Sequence, residues 1–308
     1  MLTYRKSIMR QVLNVAVIIA LLSSTRATAE TPQRKFSRPE EAVPALVDAA
    51  RAEDKDALIA ILGPGSEDIV SSGDPVQDRQ AGQRVIAAAK QKTRFEKLPT
   101  GEMIAHLGND DWPLPIPLVK DGGDWRFDAK AGRDEILNRR IGRNEITVLA
   151  ASLAYVDAQR AHSRLEGDFA QKFRSDAGKH DGLYWEDPDG KNPSPLGPLF
   201  AAATAEGYGK PDASGEPQPY HGYFFRILTE QGPNAPGGAK SYVKDGKMTA
   251  GFALVAYPAD PGSSGIMTFI VGPQGVVYQK NLGDKSADVA KAMKAYDPDE
   301  SWTPARAD

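Results

Sequence analysis

No cysteine occurs anywhere in the 308 residues, and the N-terminus reads as an export signal. Arg5, Lys6 and Arg10 form a positive start, an apolar run follows from Val12 to Leu22 broken by Asn14, and Ala27-Thr28-Ala29 offers a small-residue cleavage site before Glu30. Exported domains commonly rely on disulfides, and this chain has none to form, so its stability must come from a packed core. Residues 30–308 are long enough to build one. The apolar run is shorter than the roughly 20 residues a membrane span needs, which predicts cleavage rather than anchoring. With no cysteine there is no site for an N-terminal lipid anchor.

Cleavage would remove four basic residues, Arg5, Lys6, Arg10 and Arg26, and no acidic one, taking the formal charge from −3 to −7. That sign argues against nucleic acid and anionic membrane surfaces as partners. No later run approaches a transmembrane length, so no integral membrane segment is expected after signal removal. The expected location is periplasmic or secreted.

The hydrophobic pattern predicts an α+β fold: N-terminal helices on a small antiparallel sheet, a long central helix, and a C-terminal antiparallel β-meander with a final helix. Residues 30–130 read as an N-terminal α+β subdomain, and residues 131–308 as the central helix, a long Gly/Pro-rich loop and the meander. Ser37 and Glu40 have capping-box spacing ahead of Val43, Leu46, Val47 and Ala50, with Pro44 delaying or kinking that helix. Asp54 caps a second helix that Gly63-Pro64-Gly65 ends, and Asp74-Pro75 opens a third, with Gln77 as its reciprocal cap and Phe95 in its later turns. Strands follow at Met103–Leu107, Ile116–Val119 and Trp125–Phe127, the last two joined across Gly122-Gly123.

Arg133–Ile141 and Arg143–Glu166 read as helix with a bend at Gly142. Ile146, Leu149, Ala150, Leu153, Val156 and Asp157 recur along a stripe expected to face the core, and Arg139, Arg140, Arg143 and Glu145 form a solvated face. The stretch from Ser175 to Pro219 is a loop with a short helix near Leu199–Glu206. Strands are expected at 222–228, 241–243, 251–257, 266–271 and 276–279, then a helix from Asp284 or Ser286 through Ala295.

Several strings are long and distinctive. They are Gly108-Asn109-Asp110-Asp111-Trp112-Pro113-Leu114-Pro115-Ile116-Pro117-Leu118-Val119, Trp125-Arg126-Phe127-Asp128, Glu135 to Glu145, Ala154 to Gln159, Asp181-Gly182-Leu183-Tyr184-Trp185, Pro193 to Leu199, Pro219-Tyr220-His221-Gly222-Tyr223 and Gly251 to Pro258. Together they resemble the bacterial domain-of-unknown-function family 2950 over nearly the whole chain after the signal. Pro44 and Asn109 depart from the usual pattern. The resemblance implies a secreted or periplasmic protein and supplies no activity, substrate or catalytic residue. The run Ala253 to Tyr278 also looks like the C-terminal sheet of some pilin-like proteins, which implies an envelope-associated scaffold or assembly role.

Candidate chemistry is sparse. Ser241-Tyr242-Val243-Lys244 has the spacing of a serine acyl-transfer motif but lies in a predicted strand, where its serine and lysine point opposite ways. Gly262-Ser263-Ser264-Gly265 reads as a turn. His106 and His162 read as structural, no metal site is expected from histidine spacing, and no cofactor fingerprint appears. Asp187 to Asn192 resembles part of a calcium loop but fits a Pro-Asp-Gly turn. The candidate ligand-binding cluster is His180, Asp181, Tyr184, Trp185, Tyr220 and His221, where rings beside imidazole and carboxylate groups could grip a sugar or peptide. Two readings stay open. One is a non-catalytic protein that binds or assembles an envelope component, protein or glycan; the other is an envelope hydrolase with a His/Asp pair in residues 178–223.

Overall fold

The computed structural model describes residues 32–209 and 217–306; the expected signal and cleavage site lie outside them. A short 3-10 turn at Pro39–Glu41 leads into α1 (Ala42–Arg51), followed by α2 (Lys55–Leu62), α3 (Glu67–Val70) and α4 (Pro75–Gln91). The Ser37 cap does not form: Arg38 precedes the turn and makes no side-chain cap. Pro44 falls in the first turn of α1, where a missing N–H leaves no helical bond unmade, so the helix starts only at Ala42 and runs through the proline. Asp54 caps α2 by accepting from the Ala57 N–H at 2.9 Å.

The first sheet runs β1 (Thr93–Lys97), β2 (Met103–Leu107), β4 (Leu118–Asp121) and β5 (Asp124–Phe127), with β3 (Trp112–Pro113) paired to β2. Phe95 lies in β1 rather than in α4. The chain turns extended at Lys92, and Thr93 to Lys97 then pair with Leu107 to Met103, so ladder bonds replace further helix. Val43, Leu46, Ile61, Leu107, Leu118 and Phe127 close the core between these helices and this sheet.

Next comes α5 (Ala129–Glu166), a single helix that passes through Gly142 without dividing there. The long loop carries α6 (Gly197–Glu206). Beyond it lie β6 (Tyr223–Leu228), the two-residue strands β7 (Glu230–Gln231), β8 (Lys240–Ser241), β9 (Val243–Lys244) and β10 (Lys247–Met248), then β11 (Ala253–Pro258), β12 (Met267–Val271) and β13 (Val277–Asn281). A 3-10 turn and α7 (Ser286–Ala292) precede β14 (Ala295–Tyr296) and β15 (Thr303–Pro304). The main C-terminal sheet has the order β15-β13-β12-β11-β6, antiparallel throughout. Ala295 thus falls in a strand, and the final helix ends three residues earlier than its pattern suggests.

The face of α5 that meets this sheet takes only part of the stripe its apolar residues mark out: Val156 is buried and Leu149 packs against the core. Ile146 and Leu153 are 58% and 47% exposed, while Val148, Ala151, Tyr155, Val156 and Ala158 are buried together with Asn144, Gln159 and His162. Each of those three polar side chains is satisfied. Asn144 Nδ2 donates to Ser264 O, Gln159 exchanges two bonds with Ala170, and the His162 ring nitrogens lie 2.7 and 2.9 Å from the carbonyls of Asp168 and His180. Nor are Arg140 and Glu145 a solvated face. Arg140 donates to the Asp68 and Ile69 carbonyls that α3 leaves open, and Glu145 Oε1 accepts from the Ile266 and Met267 N–H groups.

Candidate functional site

The string Tyr220-His221-Gly222-Tyr223 forms a tight corner ahead of β6. Tyr220 and Tyr223 exchange backbone hydrogen bonds at 2.8 and 3.2 Å, and the two residues between them have φ of +48° and +75°. A two-residue turn with both centres left-handed matches the twist of a hairpin, and glycine suits its second position. At Gly222 the space also requires glycine, because a Cβ would come 2.6 Å from Asn144 Nδ2 and 2.9 Å from Ser264 Cβ. His221 holds the left-handed form without that freedom, so its surroundings must hold it there.

Asp74 does much of the holding. Its carboxylate is fully buried; Oδ1 caps α4 by accepting from Val76 and Gln77, and Oδ2 accepts from the Tyr208 hydroxyl at 2.9 Å and the Gly222 N–H at 2.8 Å. Gln77, expected as a reciprocal cap, points away instead: its Nε2 donates to Asn144 Oδ1 at 2.6 Å and lies 3.4 Å from His221 Nδ1. His221 Nε2 lies 2.8 Å from Glu206 Oε2, with 20% and 39% of the two side chains exposed. The rings of Tyr208, Tyr220 and His221 meet within 4.5–5.3 Å of one another. Burial, reinforced by Asp74, pushes the Tyr208 hydroxyl far above its ordinary range; burial and then Glu206 push Tyr220 upward too. Both phenols therefore stay protonated at neutral pH.

The other four candidate residues gather elsewhere, beside the C-terminal end of α5. His180 stacks on Trp185 at 4.2 Å and pairs with Glu166. Asp181 pairs with Lys172, whose hydrogen bond holds that carboxyl down to about 2. Tyr184 stacks on Phe200 at 4.3 Å, with the Arg174 guanidinium over both rings. Among the described residues, no hydrogen bond or ring contact joins this group to Tyr220 and His221. The ring faces in this group are turned toward groups of the protein itself.

Residues 33–305 match the family model described as Protein of unknown function (DUF2950). The chain belongs to this family. No curated protein and no solved structure matches it.

The remaining motifs of this DUF2950 chain resolve into turns. Ser241 Oγ bonds to the backbone of Val243, and among the described residues no hydrogen bond joins it to Lys244. Asp187 accepts from the Lys191 and Asn192 N–H groups, closing a turn on itself. Ser263 and Ser264 sit in a turn that Gly262 and Gly265 close. No group of three or more His, Asp or Glu side chains among the described residues is placed to hold a metal ion. No helix among them is long and apolar enough to cross a membrane.

Sequence reasoning missed Glu206, Tyr208 and Asn144 as parts of the corner. Asp74 was legible as a helix cap; its second oxygen, which reaches residues 134 and 148 positions away, was not.

Proposed function

We propose that this DUF2950 protein is exported through its N-terminal signal and works in the periplasm or outside the cell, binding an envelope component or helping to assemble one. The observation that carries the reading is the Tyr220–His221 corner. A strained backbone, fixed by a buried carboxylate, presents an imidazole–carboxylate pair and a half-buried phenol at the surface. Such a rigid polar and aromatic set suits recognition of a peptide or glycan edge.

A hydrolase built on His180, Asp181 and His221 would need those side chains within reach of one another. Their partners are instead Glu166, Lys172 and Glu206, and each nitrogen of the His221 ring already faces a side chain of the protein. The test is a pull-down from envelope fractions with wild-type and His221→Ala protein, followed by affinity and turnover measurements on the captured component. Binding that depends on His221, without turnover, supports the reading. Turnover, or capture indifferent to the substitution, overturns it.

A further inference from the structure

β1 is the outer strand of the first sheet, and its far edge is open. At its two ends Lys92 O accepts from the Gly108 N–H, and the Leu98 N–H donates to Glu102 O. In the continuous register between them, the main-chain groups of Arg94 and Glu96 therefore turn toward β2. Those of Thr93, Phe95 and Lys97 turn away. Among the described residues, none of these three N–H and three C=O groups has a main-chain partner. The strand has no proline and pairs without a bulge, so charge is all that guards the edge.

We propose that this edge pairs with the same strand of a second copy, antiparallel, about a two-fold axis at Phe95. Main-chain groups alternating along an extended strand are answered in full only by another extended strand. Side chains decide which one. A strand beside β1 has to place an acid opposite Arg94, a base opposite Glu96 and an apolar residue between them. β1 read backwards supplies that order as Glu96, Phe95 and Arg94. Thr93 then meets the copy's Lys97. The two Phe95 rings, each half-buried on the helix side of the sheet, meet each other. Every outward N–H of one copy finds a C=O of the other. Moving the axis by one residue sets Arg94 against Arg94, or Glu96 against Glu96, and like charges directly opposite destabilise a strand pair. Within one chain Arg94 already holds Asp111, and Glu96 lies against His106. Charge thus fixes the register, while the unmet main-chain groups supply the attraction.

Sedimentation velocity from micromolar to millimolar concentration should show a reversible monomer–dimer equilibrium. As the dimer forms, the amides of Thr93, Phe95 and Lys97 should slow in hydrogen exchange, while those of Arg94 and Glu96 stay protected at every concentration. Thr93→Pro removes an N–H that faces away from β2, and Lys92 before it is already extended. It should abolish the dimer with circular dichroism unchanged. Glu96→Arg and Arg94→Glu should each weaken self-association roughly tenfold. An equimolar mixture of those two should associate as well as wild type, because each strand then meets the opposite charge. A wild-type chain that stays monomeric throughout overturns the proposal. So does a dimer that survives Thr93→Pro or leaves the three outward amides unprotected, or a mixture that associates no better than its components.

Discussion

The Tyr208 hydroxyl donates to Asp74 across 134 positions of sequence, on the same carboxylate oxygen that accepts the Gly222 N–H. One buried side chain thereby caps a helix of the N-terminal half and pins the corner that opens the C-terminal sheet. Asp74→Ala strips the cap and leaves a phenol and three backbone N–H groups, those of Val76, Gln77 and Gly222, without this acceptor. A loss of about 2–4 kcal/mol is expected, read as a fall in thermal midpoint. Tyr208→Phe, which removes one donor and leaves the carboxylate its backbone bonds, should cost about 1 kcal/mol.

Gly222 and Gly178 have nearly the same φ, +75° and +73°, in different surroundings. A Cβ at Gly178 meets nothing within 4 Å, and one at Gly222 meets Asn144 and Ser264. Gly178→Ala should therefore cost about 1 kcal/mol for the left-handed backbone alone. Gly222→Ala should cost about 3 kcal/mol or more, because the overlap adds to the same strain. Equal losses in chemical denaturation would show that the corner is not tightly packed.

Arg139 and Arg140 are sequence neighbours with unlike surroundings. Arg139 is exposed beside Glu135, so Arg139→Ala should change stability by less than about 0.5 kcal/mol. Arg140 serves two carbonyls of α3 and the Ser263 hydroxyl. Arg140→Ala should cost about 2–4 kcal/mol, since those acceptors lose a charged donor. Protection of the α3 amides against hydrogen exchange should fall with it.

Lys172 holds the Asp181 carboxyl below its usual 3.8, at about 2. A carboxylate depressed in the folded state contributes stability above its unfolded pKa and loses that contribution as pH falls through the folded value. Carboxyl-carbon titration of Asp181 should show a midpoint near 2, rising toward 3.8 in Lys172→Met. The stability difference between these two proteins should be present at neutral pH and vanish below about pH 2.

The order of elements was legible because local signals set it: Asp54 and Asp74 start helices, Gly63 stops one, and Gly122-Gly123 turns a hairpin. The facing of α5 was legible only in part, through Leu149 and Val156. Periodicity ranks faces by apolarity, and the inner face carries Asn144, Gln159 and His162, whose cost of burial is met by partners from distant segments. For the same reason Arg140 and Glu145 read as surface charge: the backbone groups they serve belong to α3 and to the start of β12. Phe95 failed through a competition between helix and ladder that only its pairing with Ala105 decides. In the candidate site, residue types drew attention to rings and imidazoles that the structure places in two separate groups. Which of them share a corner depends on the path between Trp185 and Tyr220, where no periodic signal operates.

The Asp74 carboxylate also sets a sequence of events. A chain made from its N-terminus can gather α1, α2 and the first sheet while its later residues are still unmade. Until residues 208 and 222 arrive, one oxygen of Asp74 has water for a partner, and the corner has no template. Closing so distant a contact costs chain entropy before it returns any bond, which places it late and makes it slow. The N-terminal core can thus gather early, but it is locked only after nearly three-quarters of the chain has been synthesised.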